Sequence, residues 1–183
     1  MPVLERRDYT MDGLQPQSAA FVAGRGCLPV PLPAGVAAEV PNQIVVFSLQ
    51  GRKYAVDIRQ VREIIGYVRP VVPPQMPHYG HGVINLRGGA VPVLDLEVMC
   101  GRPCTPVQPR TCIVILEVAG DHGPQVMGML VDAVNAVRDL EGAELRAPPH
   151  FGSGQPGRLV CGMVQAGGDF LMLLDVSRGL IDP

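Results

Sequence analysis

Gly82-Val83-Ile84-Asn85-Leu86-Arg87-Gly88-Gly89-Ala90-Val91-Pro92-Val93-Leu94-Asp95-Leu96 returns eighty residues later, without a gap, as Gly162-Met163-Val164-Gln165-Ala166-Gly167-Gly168-Asp169-Phe170-Leu171-Met172-Leu173-Leu174-Asp175-Val176. Each copy reads as an apolar strand, a Gly-rich turn, a second apolar strand and an Asp suited to cap a short helix. The copies differ where the first carries Arg87 and the second Gly167. A guanidinium is permanently charged and costly to desolvate without a partner. Its presence in one copy of a shared scaffold marks something specific to that half.

The echo extends outward. Val56-Asp57-Ile58-Arg59-Gln60-Val61 compares with Met129-Leu130-Val131-Asp132-Ala133-Val134. Upstream, residues 44–49 and 53–58 flank the turn Gln50-Gly51-Arg52 and form a hairpin. Ile58, Val61, Ile64 and Ile65 fall at helical spacing, which predicts a short amphipathic helical turn before Gly66. The stretch 68–77 holds four prolines, so it is extended and largely without ladder bonds. In the second half, strands are expected over 112–118, 125–131 and 132–137, with a short helix from Asp175 to about Leu180. A Cys-, Gly- and Pro-containing connector, 100–110, divides the two halves.

Two strand-rich halves punctuated by turn signals predict a mostly β fold of two small barrels in tandem, meeting near 100–110. Barrel closure also removes the edges of very apolar strands such as the one containing Ile113 and Leu116. Hydrophobic residues make up 47% of the 183, enough for a sizeable core, but aromatics are only 4% and Trp is absent, so Val, Leu, Ile and Met fill it. Residues 1–40, broken by Pro and Gly and without sustained period, read as a disordered or loosely attached tail, with the ordered domain over 41–183.

Several functions are disfavoured. A net charge of -2 with scattered Lys and Arg offers no basic stripe for nucleic acid. No apolar window is long enough to span a bilayer, and the N-terminus is a poor signal peptide, so a cytoplasmic protein is expected. The five cysteines form no disulfide framework. Gly152-Ser153-Gly154-Gln155-Pro156-Gly157 matches a dinucleotide fingerprint by letters, but it follows Pro148-Pro149 rather than a strand and opens no helix. His78 with His81, or Cys100, Cys104 and Cys112, lack the second half of a zinc site. No serine stands in a nucleophile elbow. No catalytic set, cofactor or metal is expected.

Arg87 remains. One reading is a solvated arginine at a turn. The other pairs it with Glu63 beside an exposed apolar surface, where its planar fork grips a carboxylate. On a strand, Ile84 and Leu86 face one way and Asn85 and Arg87 the other. Bordered by Val61, Ile64 and Ile84, such a pair makes a patch fit for a partner helix, with Val61 and Ile64 as anchors.

Over 43–180 the chain resembles the CheW family, the coupling proteins of bacterial chemotaxis. The resemblance lies in Val46-Phe47-Ser48-Leu49, the run from Tyr54 through Ile64, Pro73 and Pro77, Gly82 through Gly88, Val91 through Leu96, Gly128 through Val134, and Leu173-Leu174-Asp175. It implies two five-stranded SH3-like barrels packed about a hydrophobic cleft, with short helices. It also implies a non-enzymatic adaptor, here free-standing, that couples the cytoplasmic tips of methyl-accepting chemoreceptors to the regulatory domain of the chemotaxis histidine kinase. The protein would then be recruited to the inner face of the membrane through receptor arrays. By motif position, Val61, Glu63, Ile64 and Arg87 fall where the family meets the receptor helix or supports that surface; Ile84 and Asn85 complete the expected set. The Gly89-Ala90 turn is more glycine-rich than the family pattern, and the tail matches no part of it. Rival readings are an adaptor of the same fold in another chemosensory pathway (pilus motility or second-messenger control), a nucleotide-binding enzyme using the 152–157 loop, and a ring-former that ignores the kinase.

Overall fold

Three two-residue turns organise the chain. Gln50-Gly51, Arg87-Gly88 and Gly167-Gly168 each have positive φ at both central positions. That is the signature of the tight turn whose twist matches a right-twisted hairpin. The computed structural model describes residues 40–120, 123–147 and 159–177. The 1–39 segment, the 148–158 loop and the expected helix beyond 177 lie outside the described residues.

Among the described residues ten strands result: β1 (Gln43–Leu49), β2 (Arg52–Asp57), β3 (Val61–Gly66), β4 (Gly80–Leu86), β5 (Gly89–Asp95), β6 (Cys112–Gly120), β7 (Gly123–Val131), β8 (Ala133–Asp139), β9 (Val160–Ala166) and β10 (Asp169–Leu174). A one-turn helix, α1 (Leu96–Met99), follows β5, and Asp95 caps it by accepting from the Glu97 N–H at 3.0 Å. Beyond β10, only Val176 and Ser177 are described as helical. The fold is mostly β, as expected, in two five-stranded sheets ordered β8-β1-β2-β10-β9 and β3-β6-β7-β5-β4.

The strand orders superpose term by term, so the internal repeat is a structural one. The parallel ladders fix its register: Leu174 pairs with Val56 where Leu94 pairs with Met129. Val56 and Met129 are therefore equivalent, as the sequence comparison aligned them. The expected division near 100–110 needs correction. That connector runs from α1 to β6 within one sheet. The chain passes between sheets at the 3-10 turn Ile58–Gln60 and at Asp132. Each sheet thus combines the first hairpin of one repeat with the last three strands of the other. The repeats have exchanged hairpins.

The helical spacing of Ile58, Val61, Ile64 and Ile65 is also corrected. Only Ile58–Gln60 turns, and 61–66 is strand β3. A bulge explains the misleading period. Val61 faces Leu116 and Glu63 faces Ile115, so Arg62 is an extra residue and the alternation slips by one. Val61 and Ile64 consequently share one face, the i, i+3 relation of a helix. The equivalent bulge in β8 lies at Asn135, between Val134 and Ala136. The 68–77 stretch is extended as expected, with Val71 bridged to Val83 by two backbone bonds of 2.9 and 2.7 Å.

Alternation along β1 sorts the core. Val45, Phe47 and Leu49 face a cluster that also takes Val114, Leu116, Met127, Met129, Leu96 and Leu174, and so lies between the sheets. Ile44 and Val46 face a second cluster with Val164, Leu171 and Leu173. Their equivalents Ile113 and Ile115 face a third, with Ile84, Val91 and Val93. Each sheet has a private core and both share a junction.

Ala55 and Gly128 occupy equivalent private-core positions. A Cβ on Gly128 would lie 2.7 Å from Ile113 Cγ2 and 3.2 Å from Val93 Cγ2. Gly128→Ala is therefore expected to overpack this site and destabilise the protein by about 1–3 kcal/mol. Urea unfolding checks it, as a lower midpoint with an unchanged slope.

Candidate functional site

The β4–β5 turn places Arg87 at its first corner with φ of 52°, a left-handed conformation uncommon for a side chain of this kind. Asn85 supports that corner, its Oδ1 accepting the Gly88 N–H at 3.0 Å. From there Arg87 Nη2 donates to Glu63 Oε2 at 2.9 Å. The carboxylate is on β3 and the turn belongs to β4, the two opposite edges of one sheet. The ion pair therefore spans the sheet's edges as it curls round its private core. Arg87 is nonetheless 81% exposed, against 24% for Glu63. A pair so wet is worth at most about 1 kcal/mol of stability.

The apolar residues expected around it are distributed differently. Ile64 is 43% exposed. Val61 is half-buried and packs on the junction core. Ile84 is buried in the private core, yet with Asn85 and Gly88 it forms part of the wall of an open apolar groove of about 390 Å³. Val71, Pro73, Val83 and Ala90 complete that wall. The structure thus brings Glu63 and Arg87 together and sets Asn85 and Ile84 at the groove. It puts Val61 and Ile64 on the other face of β3. The part of the lining that comes from the 68–77 stretch, Val71 and Pro73, was not foreseen, because Val71 reaches the sheet through a single bridge that no periodicity announces.

The second copy solves the same edge problem in reverse. Gly167, the counterpart of Arg87, leaves room for Arg138 of β8: a Cβ there would fall 1.5 Å from Arg138 Nη1. Arg138 donates to the Ala166 carbonyl at 3.3 Å and so links edge strand β8 to edge strand β9. In one half an arginine on the turn reaches the strand; in the other an arginine on the strand reaches the turn. Glu63 is replaced by Ala136 at the equivalent ladder position. Asp169, beside Arg138, accepts from Lys53 Nζ at 2.7 Å, and that hydrogen bond holds its carboxyl below the usual range.

Among the described residues no three His, Cys, Asp or Glu side chains gather as metal ligands, and no helix is long and apolar enough to cross a membrane. His81 Nε2 lies 3.2 Å from Tyr67 Oη, Cys100, Cys104 and Cys112 are free thiols, and the Cys161 thiol donates to the Leu173 carbonyl at 3.3 Å. The 152–157 loop lies outside the described residues.

Fold and site define a class, a β-rich interaction module of two quasi-equivalent five-stranded sheets. The CheW-like domain family matches residues 43–182, and the chain belongs to that family. It is 30% identical over 139 residues to the chemotaxis protein CheW of Klebsiella aerogenes, covering 76% of this chain and 81% of that one. It is 27% identical over 136 residues to CheW of Rhizobium meliloti, covering 74% and 85%. The crystal structure of the scaffolding protein TtCheW from Thermoanaerobacter tengcongensis superposes with a TM-score of 0.63 at 29% identity, covering 75% of this chain and 86% of that one.

Arg87→Gly copies the second repeat. It removes the exposed pair, worth at most about 1 kcal/mol, and relieves a left-handed residue costing about 1–2 kcal/mol, while loosening the unfolded chain. The net change in unfolding free energy is expected to stay within about 1 kcal/mol, as measured by urea titration.

Proposed function

We propose that the protein is a chemotaxis adaptor that holds a histidine kinase regulatory domain against the cytoplasmic tips of chemoreceptors, and that the edge carrying Glu63 and Arg87 is a docking surface for those tips. One observation carries the reading: Arg87 occupies a strained left-handed corner where the equivalent turn has Gly167. A strained side chain that adds little to stability is retained for something other than folding. Glu63 steadies the guanidinium, the groove beside Ile84 and Asn85 offers a shallow bed, and Ile64 adds exposed apolar surface round the β3 edge, on the strand's other face. Such a surface suits an amphipathic helix with an acidic or amide group in reach of the fork. Val61 acts from behind, packing β3 onto the junction.

The adaptor performs no chemistry of its own; its output is the spacing and orientation of two partners. Small transient contacts bind weakly one at a time, and repetition in an array supplies the avidity. The protein works in the cytoplasm and gathers at the inner membrane face through its receptors. The chemotaxis proteins among its relatives favour this pathway over pilus motility or second-messenger control.

Arg87→Ala and Glu63→Lys are each expected to weaken capture of a receptor-tip fragment at least about fivefold, the loss typical of an interface arginine. The measurement is a pull-down with receptor fragment and kinase regulatory domain together. Parent protein retains both at once. Receptor capture undiminished in both variants would remove this surface from the assignment.

A further inference from the structure

The junction between the sheets is filled mainly by Val and Leu, with Phe47 and Tyr54, and methionines complete it. Its facing residues include Met127 and Met129, with Met99 packed against the same cluster. A small apolar void of about 20 Å³ lies among Met99, Met127, Met129, Leu159, Leu174 and Val176. Apolar burial is non-directional and methionine adapts to many packings. Directional bonds across the junction add an orientational constraint to that packing.

Those bonds converge on the connector that leaves α1. Glu97, on the β3–β7 side, is fully buried, and Arg102 Nε donates to its Oε2. The same guanidinium donates through Nη2 to Tyr54 Oη at 3.1 Å, and Tyr54 belongs to β2 of the other sheet. One residue further, the Pro103 carbonyl accepts from Gln50 Nε2 at 3.0 Å, at the tip of the β1–β2 hairpin. Thr105 is tied back to Asp95 through its N–H at 2.7 Å and its hydroxyl at 2.9 Å. Desolvation is the largest single influence and works against the Arg102 charge, but the Glu97 hydrogen bond and the further attraction of Tyr54 and Glu97 together outweigh it and raise the guanidinium above its ordinary pKa. The cation is thus present wherever the protein is folded. Among the described residues the arrangement occurs in the first repeat. Ser177 stands where the first copy has Glu97, and Met127 where it has Tyr54. Cys112, whose sulfur accepts from the Val134 backbone across the junction, is a weak acceptor by comparison.

We infer that residues 97–105 form an orientation latch: buried Glu97 holds Arg102, and Arg102 with Pro103 fastens the β1–β2 hairpin so that the two sheets keep one relative angle. A buried ion pair is poor at adding net stability but well suited to selecting one arrangement among several. The hydrophobic junction supplies adhesion and the latch supplies the angle. Its bearing on signalling rests on the adaptor reading, since an angle between sheets is an angle between docking faces. The latch itself does not depend on that reading.

The test uses the full chain with Tyr54→Phe and Gln50→Asn combined. Phenylalanine keeps the ring stacked on Phe47 and loses only the hydroxyl; asparagine suits the left-handed corner and is too short to reach Pro103. Amide residual dipolar couplings are measured in one alignment medium. In the parent, both sheets fit a single alignment tensor. In the double variant, each sheet still fits its own couplings well, which shows that it remains folded, and the common tensor is lost. Retention of one tensor with the parent orientation would overturn the latch. A second variant, Glu97→Leu with Arg102→Leu, removes the charges together and is expected to give the same loss. A common tensor there, with both sheets intact, would overturn it equally.

Discussion

Strands β1 and β6 are apolar on both faces, and the rest of the structure follows from covering them. In an antiparallel sheet one face is ordinarily left to solvent. Here Ile44 and Val46 need cover on one side, and Val45, Phe47 and Leu49 on the other. A single curled sheet covers one face only. The second sheet, built on the same plan, covers the other, and the two meet across the shared cluster. Each fully buried aliphatic side chain contributes about 1.5–3 kcal/mol relative to exposure, so neither sheet is a stable object with its junction face bare. Exchanging the first hairpin between repeats strengthens the dependence, because neither repeat completes a sheet from its own strands.

Much of this was legible in the residues. The ungapped return of 82–96 as 162–176 located two hairpins, their turns and the capping Asp95. The alignment of Val56 with Met129 matched the parallel ladders to the residue. What stayed hidden was long-range or one-residue in scale. A repeat in sequence carries no sign of which copy lends its hairpin to which sheet, so the boundary near 100–110 was right for the repeat and wrong for the sheets. The β3 bulge disguised a strand as a helical turn, since one extra residue converts a period of two into an i, i+3 coincidence. The candidate pair fared better. Arg87 stood out against Gly167, and Glu63 was in reach. The reciprocal arginine, Arg138, had no signal except the glycine that makes room for it.

The asymmetry between the halves is confined to a few places. The two private cores keep matching residues, Ile44 with Ile113, Val46 with Ile115 and Leu173 with Val93. Change in such a core is felt at the scale of a methyl group, which ties both copies to one pattern. Divergence falls instead where packing is permissive. At the sheet edges, Arg87 with Glu63 faces Gly167 with Ala136. At the connector, Glu97 and Tyr54 face Ser177 and Met127. Both substitutions exchange apolar or small residues for directional charge in the same repeat.

That distribution has a mechanical consequence. A quasi-symmetric body offers two similar faces, and an adaptor gains from faces that differ while their separation stays constant. Different charges at the two edges, Arg87 with Glu63 on one and Arg138 with Asp169 on the other, make the faces chemically distinct and leave the cores undisturbed, because exposed pairs contribute little to folding. Constancy of separation cannot come from those pairs, each of which lies within a single sheet. It has to come from the junction, where apolar packing holds the sheets together and directional bonds cross between them. The buried Glu97, inaccessible to solvent and to any partner, stands at that junction with its charge directed at Arg102. Under the proposed reading, recognition at the edge and geometry at the junction fall to two separate ion pairs, one largely exposed and one with its carboxylate fully buried, and the difference in burial suits each to its task.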